Sequence, residues 1–190
     1  MKNSIIKAVG VILCAAGLCG MLGGCSLFEN PEQARREFEK YPHYLYVKTV
    51  TVPEKEDVYY DLNDHGDYRR CEAFEPNADV IEFHLELQSD RKVSEAFSTM
   101  GSDYDNAANE KVPMPENVDK AIFALDRFEG KQKHWIWVDR VFICGEKCFL
   151  SVGYNVNMQV PYSLLEYDEE SDTLKEILYV SDRQIVGLKM

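Results

Sequence analysis

Basic residues are scarce in this chain: 21 Lys and Arg stand against 33 Asp and Glu, for a formal charge of −12. Phosphate binding needs the opposite balance, which argues against nucleic acid as a partner. The same deficit disfavours lying flat on an anionic lipid leaflet. Long apolar runs are also missing. The stretch over residues 8–21 is apolar or small throughout, yet falls short of the ~20 residues that a membrane span requires. There is no internal repeat and no low-complexity tract, so a solenoid has no support. Ser94, Ser98 and Ser102 lack a G-x-S-x-G context. His43, His65, His84 and His134 fall in separate segments. No nucleophile signature is therefore legible, and acids are so common that pairing any two as acid and base would be arbitrary.

What is present begins at the N-terminus. Lys2 and Lys7 precede the apolar stretch, and Leu22-Gly23-Gly24-Cys25 follows it. A positive start, a 7–15-residue apolar region and small residues before the cut are the marks of an export signal. The Leu22–Cys25 tetrad resembles the lipobox of bacterial lipoproteins: an aliphatic residue, two small ones, then cysteine. Cys14 and Cys19 fit worse, because Leu13 and Leu18 stand where the box wants a small residue. The resemblance implies cleavage before Cys25, diacylglycerol on its sulfur and an N-acyl group on its amine, with no other cofactor. It also implies an extracytoplasmic protein held by lipid on the cell membrane, or on the outer membrane where the host has one. The resemblance covers residues 1–25 alone. Removing residues 1–24 takes away Lys2 and Lys7 and no acid, leaving 19 basic and 33 acidic residues and a charge of −14. Residues 25–30 then form a short tether of ~17 Å when extended, which favours a membrane-proximal protein partner. Residues 31–190 are read as one globular domain.

Within that domain the pattern predicts an α+β fold, mainly antiparallel sheet, with two or three short helices. Asn30-Pro31-Glu32-Gln33 reads as a capped helix start, the helix running to about Lys40 before Pro42. Residues 89–100 read as a second helix ending at Gly101. Residues 103–111 read as a polar loop, and residues 115–128 as a helix or a buried strand. Strands are predicted over 44–52 and 80–87, the latter alternating cleanly between apolar and polar positions. Residues 58–62 and 68–74 flank the turn Asn63-Asp64-His65-Gly66 as a hairpin. Residues 135–144 and 148–154 flank a second turn at Gly145. With 162–167, 174–180 and 184–188 they predict a β-meander. Its rhythm around Leu164 and Leu174 resembles one blade of a propeller-type repeat, but the chain is too short for several blades.

Three local patterns carry possible chemistry. Asp61, Asn63, His65, Asp67 and Glu72 are similar in spacing to a calcium loop, since hard cations want oxygens on a tight Gly-containing turn. His65 and Arg69 depart from that pattern, and a polar hairpin turn explains the same residues. Cys71, Cys144 and Cys148 remain after lipidation. Cys144 and Cys148 flank a tight turn, near the distance a disulfide needs. Cys71 with either, or three unpaired thiols, fits equally; zinc would want a fourth ligand. Finally, residues 135–138 are apolar at every position, which favours a central core strand over exposed aromatics. His84, between Glu82 and Glu86, reads as part of a solvated face.

The function this supports is a lipid-anchored extracytoplasmic domain that binds or senses something at the cell envelope. The alternatives are an envelope enzyme built from scattered acids and histidines, and a docking subunit of a membrane complex. Exposed aromatics on one sheet face would mark the first, convergent titratable groups in a deep cleft the second, and a broad apolar patch the third.

Overall fold

A computed structural model of the chain describes residues 30–51, 56–87, 112–131, 135–155 and 159–190. The segment expected to be an export signal, Cys25, the helix expected over 89–100 and the loop expected over 103–111 lie outside the described residues. The chain divides into two compact units, residues 1–40 and 41–190.

In the first unit, α1 spans Pro31–Phe38. Its start is the one the sequence predicts: the Asn30 side chain accepts from the Glu32 N–H at 3.1 Å, with proline in the first turn. Arg35–Glu39 and Lys40–Glu37 pairs lie on its surface. Phe38 is buried and Ala34 is exposed.

The second unit corrects the α+β expectation. It is a β-rich structure of two antiparallel sheets. One sheet has the order β3-β2-β1-β9, from β1 (His43–Thr51), β2 (Asp57–Asn63), β3 (Tyr68–Arg70) and β9 (Arg183–Lys189). The other has the order β4-β5-β6-β7-β8, from β4 (Asp79–Glu86), β5 (Ile136–Cys144), β6 (Lys147–Tyr154), β7 (Tyr162–Asp168) and β8 (Thr173–Val180). The stretch left open over 115–128 becomes α2, only Val118–Phe123, followed by turns. Six residues cannot hold a helix by local bonding. Val118, Ile122 and Phe123 hold it by burial instead, against the second sheet.

Alternation explains the layers. In β5 and β6, Phe142 faces Phe149 across the ladder, and both are fully buried between the two sheets. One position along, Val141 faces Leu150, and both point to the opposite face, under the 112–131 segment. The centre of the second sheet is thus apolar on both sides, which is why β5 and β6 read as near-continuous hydrophobic runs while the edge strand β4 alternates.

The meander is real for β4 through β8 and ends there. β9 leaves for the other sheet and pairs with β1. The turn that redirects it puts Asp182 at φ +51, a left-handed conformation that Asp tolerates better than most residues. Its carboxylate also accepts from the Val160 N–H at 3.2 Å. Leaving the meander lets Ile185 and Leu188 bury between the sheets.

Candidate functional site

Chemistry-bearing side chains gather where β4 and β5 meet. β5 carries a bulge. Val138 pairs with Val152 and Arg140 with Ser151, so Asp139 has no opposite residue on β6. On its other side, Glu82 pairs with Arg140 and Leu85 with Val138, so β4 also slips here. Bulges re-aim side chains, and this one turns a carboxylate into the protein. Asp139 is buried, and its Oδ2 accepts from Gln184 Nε2 at 2.7 Å and Arg140 Nη1 at 3.1 Å. Gln184 belongs to β9, so the acid ties the two sheets together. Asp139 Oδ1 and Ser151 Oγ are both buried, and Ser151 acts on the Asp139 carboxylate in favour of its charged form. Burial raises the Asp139 pKa above its ordinary 3.8, with Arg140 and Gln184 opposing. Tyr162 is raised as well, by burial first and then by the Asp139 charge.

Aromatic residues continue the cluster outward. Trp137 lies against Gly153, where a Cβ would come within 2.7 Å of the indole, so this close seat requires glycine. Tyr162 meets Trp137 edge-on at 6.1 Å and His84 sits 6.2 Å from it. Trp135 is 65% exposed, against the expectation of a core strand that Ile136 and Val138 do satisfy. Its Nε1 donates to Glu86 Oε1 at 3.0 Å, and His84 Nε2 lies 3.7 Å from the same oxygen. Glu82 pairs with Arg140 at 2.9 Å. This is the solvated β4 face that alternation predicts, but flanked by indoles.

The residues with calcium-loop spacing do not converge. Asp61 Oδ2 is held by His43 Nδ1 at 2.8 Å and Arg69 Nε at 3.4 Å. Asn63 Oδ1 accepts from the N–H groups of Asp67 at 2.9 Å and His65 at 3.2 Å. His65 stacks on Tyr41, and Glu72 is exposed beyond β3. Oxygens engaged by a guanidinium, an imidazole and the turn's own backbone are poor cation ligands. Among the described residues, no three His, Cys, Asp or Glu side chains cluster closely enough to hold a metal ion.

Register separates Cys144 from Cys148. Cys144 pairs with Lys147 and Cys148 with Ile143, which puts the two thiols on opposite faces of the sheet and in different cores. All three thiols are free, and Cys71 is the half-exposed one. Burial pushes Cys148 up to about 12. Cys71 is raised by burial and then by Asp61, so none is an activated thiolate. A thiol-specific maleimide should therefore modify Cys71 first and reach Cys144 and Cys148 only on denaturation. Peptide mass mapping checks this, and a linked Cys144–Cys148 peptide would refute it.

A separate groove of about 620 Å³ opens beside the β5–β6 and β7–β8 turns, lined by Glu146, Lys147, Glu166, Glu169, Glu170 and Lys175 among others. Its size suits a small ligand. Its best-ordered charges already pair, Lys147 with Glu166 at 2.5 Å. On the far face of the second sheet, Glu176 holds both Ser163, at 2.6 Å, and Arg127. Arg127 also covers the Tyr179 ring at 3.7 Å. These contacts fasten the 112–131 segment to β8.

Asp139, Ser151 and Gln184 are functional candidates that sequence patterning misses. The available signal is Asp139-Arg140 interrupting an otherwise apolar strand, which marks a bulge or a buried polar pair. Comparison with known proteins adds nothing to the geometry: no family model, no curated protein and no solved structure matches this chain.

Proposed function

We propose that this chain is a lipid-anchored extracytoplasmic domain that binds a ligand at the cell envelope, using the β4–β5 edge of its second sheet. The observation that carries the location is the Lys2, Lys7, apolar stretch and Leu22-Gly23-Gly24-Cys25 series. Each acyl methylene buried in a bilayer contributes ~0.8 kcal/mol, and two chains anchor stably where one does not. The binding role is supported by Trp135, whose exposed indole is held in a fixed orientation by Glu86. A ring already ordered loses little entropy when a ligand covers it.

The anchor is tested by feeding an alkyne fatty acid to bacteria that express the full chain. The wild type should take up label and sediment with membranes. Cys25→Ala should take up none and yield no membrane-bound mature form. Label retained by Cys25→Ala, or an unlabelled wild type in the soluble fraction, would refute the anchor.

A further inference from the structure

We infer that the β4–β5 edge is a saccharide-binding site, with the Trp135 indole as its stacking platform and Glu86 and His84 as its hydrogen-bonding rim. The inference rests on the binding role proposed above and adds the ligand class.

Among the described residues, the exposed apolar surface here is one ring wide. Among the described residues, the other large apolar side chains at the surface are Tyr68, Val80 and Met190. Val80 pairs with Phe142 and Glu86 with Trp137, so Val80 and Trp135 stand at opposite ends of the β4–β5 ladder. A protein interface wants a contiguous apolar patch of several hundred Å², and a single indole does not make one. What the structure places at Trp135 is polar: Glu86, with His84 beside it.

A flat apolar face bordered by a carboxylate and an imidazole matches a pyranose. One side of the sugar ring presents C–H groups that pack on an aromatic face, while its hydroxyls both donate and accept. The indole N–H is spent on Glu86, which fixes the ring plane and leaves its face for stacking. Trp137, two residues further along and within β5, orders the His84 side of the rim: half-buried, it is held by Gly153 and Tyr162 and lies beside His84. An ammonium ligand would also favour a tryptophan face. The His84 imidazole beside Glu86 favours the sugar, since its ring nitrogens can hydrogen-bond a hydroxyl and find no partner on a quaternary ammonium.

Trp135 and Trp137 are the chain's two tryptophans, so tryptophan emission, excited selectively over tyrosine, reads this site. The full chain in detergent is titrated with chitotetraose, cellotetraose and maltotetraose, and with tetramethylammonium chloride as the cationic probe. At least one oligosaccharide should give a saturable change that 0.5 M NaCl leaves intact. Trp135→Ala should weaken that binding about tenfold or more, read by calorimetry, at an unchanged thermal midpoint. Glu86→Gln should weaken it less, by about threefold, since the amide oxygen still accepts from the indole. Absence of saturable change with all three sugars, binding that Trp135→Ala retains, or salt-sensitive binding of tetramethylammonium alone would each overturn the inference. Sugar binding by a chain that fails the fatty-acid test would leave this inference standing and refute the anchor; the reverse result would leave the anchor and refute this ligand class.

Discussion

Replacing Phe149 with alanine should lower the unfolding free energy by about 3–5 kcal/mol, the cost of a large cavity in a close-packed core. Phe149 is fully buried, and its ladder partner Phe142 is buried with it between the two sheets. Neither sheet can collapse onto the space without breaking register, because β6 is paired on both sides, to β5 and β7. Urea unfolding followed by far-UV circular dichroism measures the effect. The midpoint should fall while the slope stays constant, since a lost side chain alters stability without changing the surface exposed on unfolding by much. A loss below about 1 kcal/mol would mean that the two sheets do not share this core.

The inter-sheet core is partly legible in the amino-acid pattern. Strict alternation in β4 and the turn residues at Asn63–Gly66 and Gly145 predict strands and hairpins that the fold contains. Local pattern specifies a strand and its turn well because both depend on neighbours along the chain. It does not specify which sheet a strand joins. β9 has the composition of one more meander strand, and only the pairing of Val47 with Leu188 reveals its partner. Helix content is misread for a related reason. Residues 118–123 carry a helix-compatible pattern, but whether it extends depends on the sheet beneath it. The cysteines show the limit most sharply. Cys144 and Cys148 flank a tight turn, yet a one-residue offset in register sends their side chains to opposite faces. The candidate site is legible in its pieces: His84 beside two acids, and two indoles at 135 and 137. Their assembly depends on the β4–β5 register and on the bulge at Asp139, which no periodicity announces.

That bulge should leave a signature in the pH dependence of stability. Burial raises the folded-state pKa of Asp139 above its ordinary 3.8, so the folded chain holds a proton that the unfolded chain has released. Between those two values folding takes up a proton. The stability contributed by this group is fully present below the ordinary value and is lost as pH rises through the folded one. At neutral pH the charged carboxylate is a net cost, offset in part by Arg140 and Gln184. Asp139→Asn should remove this component of the pH dependence. Its amide oxygen can still accept from Gln184 and Arg140, and its amide N–H can donate toward the buried Ser151 Oγ. Stability at pH 7 should therefore match or exceed the wild type, and the decline as pH rises above the ordinary carboxylate range should be shallower. Asp139→Leu keeps the volume but strands the Gln184 amide and one contact of the Arg140 guanidinium, and should cost about 2–4 kcal/mol. Urea unfolding of the three proteins at a series of pH values separates the cases. Equal losses for Asn and Leu would show that this carboxylate is needed in its charged form, so that the tie between the sheets is a buried ion pair. A pH profile that Asp139→Asn leaves unchanged would show that folding does not shift its titration, and either result overturns the prediction.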